Sequence, residues 1–145
     1  MKKFIVFVLG ILSLHASAEV LNIKNSGPFY IGSGQIPPRL KSSPGKLDIK
    51  IDLTISAEYD ISCDIVNPNY YKNYPAVIKA GSSINGARGH LEQYLLNHET
   101  NKFKTHLSLD FLHIPRPQPY LFFENLDDED TIYVNNCYAN FSTKS

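Results

Sequence analysis

The chain has 145 residues, 14 of them Lys or Arg and 14 Asp or Glu, so its formal net charge is zero with the histidines neutral. So balanced a chain sets up no strong field toward nucleic acid or anionic lipid, which argues against both as partners. Trp is absent while Tyr and Phe number 9 and 8, and alternating stretches punctuated by Gly, Pro and Asn give the pattern of an all-β protein.

Residues 1–18 have the form of a secretory signal peptide. Lys2 and Lys3 make a basic start, Phe4 to Leu14 an apolar stretch, and Ala16-Ser17-Ala18 a small-residue cleavage site. That apolar stretch is too short for a membrane anchor, which needs about 20 residues. Cleavage would give a secreted or periplasmic chain beginning at Glu19, with no membrane span. Removing 18 residues from 145 leaves 127, which is one domain's worth. An exported chain whose only cysteines are Cys63 and Cys137 is expected to join them in one disulfide. Closing so long a loop removes about 4 kcal/mol of unfolded-state entropy in the chain model.

Glu19 to Asn25 alternates through Leu21 and Ile23 as a short first strand. Ser26 to Lys46 is rich in Gly, Pro and Ser, and reads as an arm interrupted by Phe29, Tyr30 and Ile31. Those three either pack on the core or present an exposed contact site. Residues 19–46 are expected to pack on a sandwich domain formed by residues 47–145.

From Leu47 to Val66 the odd positions are Leu, Ile, Ala, Tyr or Cys, while the even ones, up to Asp64, are Asp, Lys, Thr, Ser or Glu. A period of two puts these sets on opposite faces of a strand. Unbroken, it would span about 65 Å, beyond ordinary strand lengths. A two-residue hairpin near Ser56 to Glu58 would put Ile55 and Ile61 on different faces. The pattern therefore predicts a strand bent there by a bulge or coil, or two collinear strands, with the odd face following the core from one sheet to another.

Asn67 to Pro75, NPNYYKNYP, sets Tyr70, Tyr71 and Tyr74 among asparagines. Tyr offers a rigid apolar face and a hydroxyl, and Asn offers adaptable hydrogen bonds, which suits recognition; the alternative is a loop that lids the sandwich. Ala76 to Ala80 reads as a buried strand, and Asn85-Gly86 as a hairpin turn. A five-residue loop at Asn97 to Asn101 would then pair Arg88 to Leu96 with Lys102 to His113. Leu91 would face Leu107 and Leu95 Phe103 on one side, with Glu92 against His106 and Tyr94 against Lys104 on the other.

Ile114 to Pro119 has three prolines and reads as an extended crossing between sheets. Tyr120 to Glu124 and Thr131 to Phe141 complete the strands. The second has mixed polarity on both faces, with Ile132, Val134 and Tyr138 on one and Tyr133, Cys137 and Phe141 on the other, as a central strand or one covered on both sides would have.

Constellations for catalysis are weak. His106, Ser108 and Asp110 have triad residue types, but residues two apart on a strand hold their side chains about 7 Å apart. GxSxG, HExxH and GxxxxGK[ST] are absent. His90, Glu92 and His106 are competent zinc ligands that solvated strands also supply. The run Asp127 to Asp130 lacks the spaced calcium-loop pattern and reads as a charged turn that protects strand edges. Asn140-Phe141-Ser142 is an isolated glycosylation sequon. No catalytic residue, metal or cofactor is assigned.

These features predict an antiparallel β-sandwich of seven or eight strands with one disulfide, loosely immunoglobulin-like in architecture only, since there is no Trp and position 135 is Asn. The function expected is that of an exported, non-catalytic binding or inhibitor module recognising a protein or glycan through Tyr70, Tyr71 and Tyr74, with Phe29 and Tyr30. Two alternatives are a structural subunit of a surface or envelope assembly, reaching a neighbour through the Ser26 to Lys46 arm, and a small secreted enzyme with a dispersed site.

Overall fold

Eight strands build the protein in this computed structural model, which describes residues 27–72, 74–114 and 116–143. They are β1 (Phe29–Ile36), β2 (Gly45–Lys50), β3 (Ala57–Val66), β4 (Ala76–Ser83), β5 (Glu92–Leu96), β6 (Thr100–Leu109), β7 (Tyr120–Asn125) and β8 (Ile132–Phe141). The signal-like segment and the strand expected at Glu19 to Asn25 lie outside the described residues.

Two four-stranded sheets, ordered β1-β8-β3-β6 and β2-β7-β4-β5, face each other across a common core. The antiparallel pairs β1·β8, β2·β7, β3·β6 and β4·β5 are nested one inside the next. The chain is thus one long folded-back ribbon, rolled so that successive pairs alternate between sheets. This connectivity is that of a jelly roll, and it refines the immunoglobulin-like description.

The alternating ribbon from Leu47 to Val66 behaves as its pattern requires. It runs through β2 in one sheet, leaves through an extended coil at residues 51–56, and enters β3 in the other. β2 and β3 do not pair with each other, so there is no hairpin. Ile49, Ile51, Tyr59, Ile61, Cys63 and Ile65 are buried, and Leu47, Leu53 and Ala57 pack partly buried against them. The break begins at Ile51, earlier than the expected bend at Ser56 to Glu58, and overlaps it at Ser56; the alternation survives because extended coil keeps the two-residue period. Tyr59 fastens the crossing: fully buried, it donates its hydroxyl to the Ile55 carbonyl at 2.8 Å and stacks on Phe141.

The Gly/Pro/Ser-rich segment forms an integral edge strand. In β1, Phe29 and Ile31 pack partly buried against the core while Tyr30 stays exposed. β1 and β2 meet so tightly that a Cβ on Gly45 would lie 1.7 Å from the Pro37 carbonyl oxygen, so only glycine fits there.

β8 is central, between β1 and β3, but its faces differ from those read off the sequence. Asn136 has φ 51°, and the register with β3 slips between Ser62 and Asp64. This bulge reverses the alternation. Ile132 and Val134 point inward before it, Cys137 and Ala139 after it, and Tyr138 faces outward. Cys63 and Cys137 are bonded across the bulge, with Cα atoms 4.1 Å apart, so the disulfide ties the bent ribbon to the last strand within one sheet.

The expected pairing of β5 with β6 is not formed. β5 pairs with β4, from Ala76 with Leu96 to Ala80 with Glu92, and β6 pairs with β3. Asn97 to Glu99 carries the chain between sheets, so β5 and β6 meet face to face through the core, with Tyr94 edge-on to Phe103 at 5.8 Å. Two strands with matching apolar faces are compatible with pairing and with stacking, and the nested ribbon selects stacking. The β4–β5 connection is correspondingly wider than a two-residue turn, although Gly86 does adopt φ 77°. The described residues between β6 and β7 carry the chain from one sheet to the other, but not as the extended run expected: Ile114 donates to the Asp110 carbonyl in a turn and Arg116 has φ 55°, before Ile51 donates to the Pro119 carbonyl and Gln118 to that of Ile84.

Replacing Cys63 and Cys137 together by Ala should lower the unfolding free energy by about 3 kcal/mol, read by urea denaturation. Tyr59→Phe removes only the hydroxyl on the Ile55 carbonyl and should cost about 1 kcal/mol in the same assay.

Candidate binding surface

Four connections gather at the end of the sandwich where β3 stops, and hydrogen bonds tie them together. Asn67 donates from its backbone to the Glu99 carbonyl, and Arg39 to that of Asp127. The side chain of buried Asn125 donates to the Asp130 and Ile36 carbonyls. The tyrosine loop, residues 67–75, rises from this platform.

The loop has its own scaffold. The Asn67 side chain accepts from the Asn69 backbone amide in a local turn, and Lys72 N–H closes on the Asn69 carbonyl. Asn69 Nδ2 then donates to Asp130 at 2.6 Å, and Lys72 Nζ bridges both Asp130 oxygens at 2.9 Å and Glu129 at 3.1 Å. These bonds, first to Asp130 and then to Glu129, hold the Lys72 ammonium well above its ordinary pKa. The acidic run read as a protective turn therefore also clamps the loop: Asp127 orders the turn by accepting from the Glu129 and Asp130 amides, and Asp130 is buried against the loop.

On that frame the rings project outward. Tyr70, Tyr71 and Tyr74 are 43%, 73% and 86% exposed, and Tyr70 meets Tyr71 edge-on at 6.0 Å. Asn73 lies outside the described residues. Phe29 and Tyr30 are not part of this group. Phe29 packs edge-on to Tyr59 and Phe141 toward the opposite end of the sandwich. Tyr30 lies on the outer face of the first sheet, edge-on to Tyr138 at 5.4 Å. The sequence reading missed Tyr138, whose outward turn was signalled by Asn135-Asn136, a pair suited to the left-handed bulge position.

The histidines sit elsewhere. His106 Nδ1 lies 3.0 Å from Asp60, its Nε2 contacts Glu58, and Ser108 donates to Glu58 at 2.6 Å. Ser108 thus serves a carboxylate on β3, and Asp110 holds His113, so the triad types do not converge. His90, Glu92 and His106 line one lateral groove with Lys104 and Thr105. Among the described residues no group of three or more His, Cys, Asp or Glu side chains is arranged to hold a metal ion. No described helix is long and apolar enough to cross a membrane.

No family model matches the chain, and no curated protein matches it in sequence. Among solved structures, it is similar to the enzymatically active domain of tailspike protein 4 from bacteriophage CBA120, with TM-score 0.48 and 9% identity over 81% of this chain. It is also similar to a structure from work on carbohydrate-binding modules of the β-sandwich superfamily, with TM-score 0.40 and 15% identity over 78% of this chain. The chain spans 17% of the first structure's length and 55% of the second's.

The Glu58–Asp60–His106 cluster gives a pH signature. Hydrogen bonds to Asp60 and then Glu58 raise the His106 pKa, while Ser108 and then His106 lower that of Glu58. Lys104 faces the same groove, with His90 and Glu92 across it. A raised histidine stabilises the fold below its unfolded value, 6.5, and loses this as pH rises through its folded value. A depressed carboxylate stabilises above its unfolded value, 4.5, and loses this as pH falls through its folded value. The melting-temperature gap between the native protein and His106→Gln should therefore be widest between 4.5 and 6.5 and shrink toward alkaline pH. Thermal melts across that range check it.

Proposed function

We propose that the protein is an exported, non-catalytic binding module that recognises a protein or glycan ligand through the loop carrying Tyr70, Tyr71 and Tyr74. The observation that carries this reading is three tyrosines standing in solvent on a loop that is itself pinned to the body by Asn69, Lys72 and Asp130. A loop that only closed the core would bury its rings. Here Asn69 and Lys72, on either side of Tyr70 and Tyr71, make the anchoring bonds and leave the rings exposed to meet a partner.

Fixing the loop before contact reduces the ordering cost of binding, and tyrosine brings large area at low side-chain entropy. Asparagine and the tyrosine hydroxyls supply hydrogen bonds that suit sugar hydroxyls and peptide groups alike. Export rests on the signal-like residues 1–18, and the non-catalytic reading on the separate partners that His106, Ser108 and Asp110 take.

Screening the purified protein on a glycan array and a displayed peptide library should select at least one ligand. The Tyr70→Ala, Tyr71→Ala, Tyr74→Ala triple variant should then lose more than about tenfold in affinity, with its melting temperature unchanged because the rings are exposed. Full retention of binding would overturn the loop as recognition surface, and a large fall in melting temperature would make it a lid.

A further inference from the structure

The two sheets treat their outer faces differently. On the β2-β7-β4-β5 sheet the β4–β5 connection folds back as a cover. Arg88 lies 4.9 Å over the Phe122 ring and pairs with Glu124 and Asp48, leaving Phe122 2% exposed. On the β1-β8-β3-β6 sheet Tyr30 and Tyr138 remain 61% and 36% exposed.

The outward residues of that sheet fall into rows across the strands. Tyr30 is in register with Tyr138, Tyr138 with Ser62, and Ser62 with Lys104. In the next row Asn140 is in register with Asp60, and Asp60 with His106. The polar members of both rows line a groove of about 530 Å³, and the tyrosine pair flanks it. An aromatic step thus adjoins a hydrogen-bonding trough across the four strands of this sheet.

We infer that this sheet face is a second binding site, separate from the tyrosine loop, and that it takes a neutral oligosaccharide. Charge complementarity selects the occupant. Lys104 and Asp60 carry opposite charges in adjoining rows, so an anion or a cation would meet a like charge beside every opposite one. Ser62 and Asn140 both donate and accept, matching hydroxyls that do the same, while the tyrosine rings offer apolar surface to the C–H face of a sugar. An extended peptide adding as a strand would pair along the edges at β1 or β6 and not over this face, whose middle is formed by β8 and β3 with partners on both sides. The site rests on geometry independent of the loop, so either can fail without the other.

The test is titration of the isotope-labelled protein with cello-, xylo-, manno- and maltohexaose, followed by amide chemical shifts and calorimetry. At least one hexaose should shift amides within 60–64, 102–106 and 136–140. Tyr138→Ala and Asn140→Ala should each weaken that hexaose at least about tenfold, with unchanged melting, and the triple tyrosine-loop variant should bind it as the native protein does. The site is overturned if no hexaose shifts those amides, if both sheet-face variants bind normally, or if oligogalacturonate binds there more tightly than every neutral hexaose. Shifts confined to residues 67–75 would likewise overturn it while supporting the loop.

Discussion

The molecule depends on a conserved sidedness: the apolar edge of one ribbon must face the same interior in both sheets. Ile49 and Ile51 lie in or just beyond one layer and Ile61 and Ile65 in the other, all buried, with only a six-residue extended coil between the strands. A shift of one residue anywhere in that passage would turn a whole layer's side chains from interior to solvent. The devices around the crossing resist such a slip. Tyr59 is bonded to the Ile55 carbonyl and wedged among Phe29 and Phe141, and Ile51 is held by the Pro119 carbonyl. Register is thereby enforced at the bend, where the sheets' own ladders cannot do it.

Alternation made this part of the fold legible in the sequence. The passage from sheet to sheet, the central place of β8 and the pairing of two lone cysteines follow from period, turn chemistry and cysteine count. Partner choice was less legible. β5 and β6 have complementary apolar faces, and local pattern alone cannot separate two strands that share a ladder from two that press together across a core. The deciding term is topological: with β3 already beside β6 and β4 beside β5, each strand's pairing is set by residues far away in the chain. The faces of β8 were misread for a different reason. A single left-handed residue, Asn136, inverts the period, and the result is an outward Tyr138 where a strict count places it inward.

The surfaces were legible to a similar degree. The tyrosine loop stood out by composition, yet its scaffold did not, because the acidic turn that holds it is 57 to 61 residues away. Phe29 and Tyr30 are neighbours in sequence with opposite fates, one in the core and one on a sheet face, as strand geometry demands. The covered and bare outer faces also arise from sequence-distant pairs: Arg88 reaches Asp48 and Glu124, whereas nothing comparable in the described residues lies over Tyr30 and Tyr138. The molecule thus combines an anchored aromatic loop at one end with a solvent-facing central sheet on its flank.

The nesting of strand pairs has a consequence for the birth of the protein. A ribosome delivers β1 before β8, so the outermost pair cannot close until β8 has emerged, and among the described ladders a chain made as far as β5 has just the innermost β4–β5 hairpin. Closure from the inside outward makes the pairing of greatest sequence separation, β1 with β8, the last to form. Until then the apolar ribbon and its thiol at Cys63 await a partner still in the tunnel, an interval during which a holding chaperone would find its substrate.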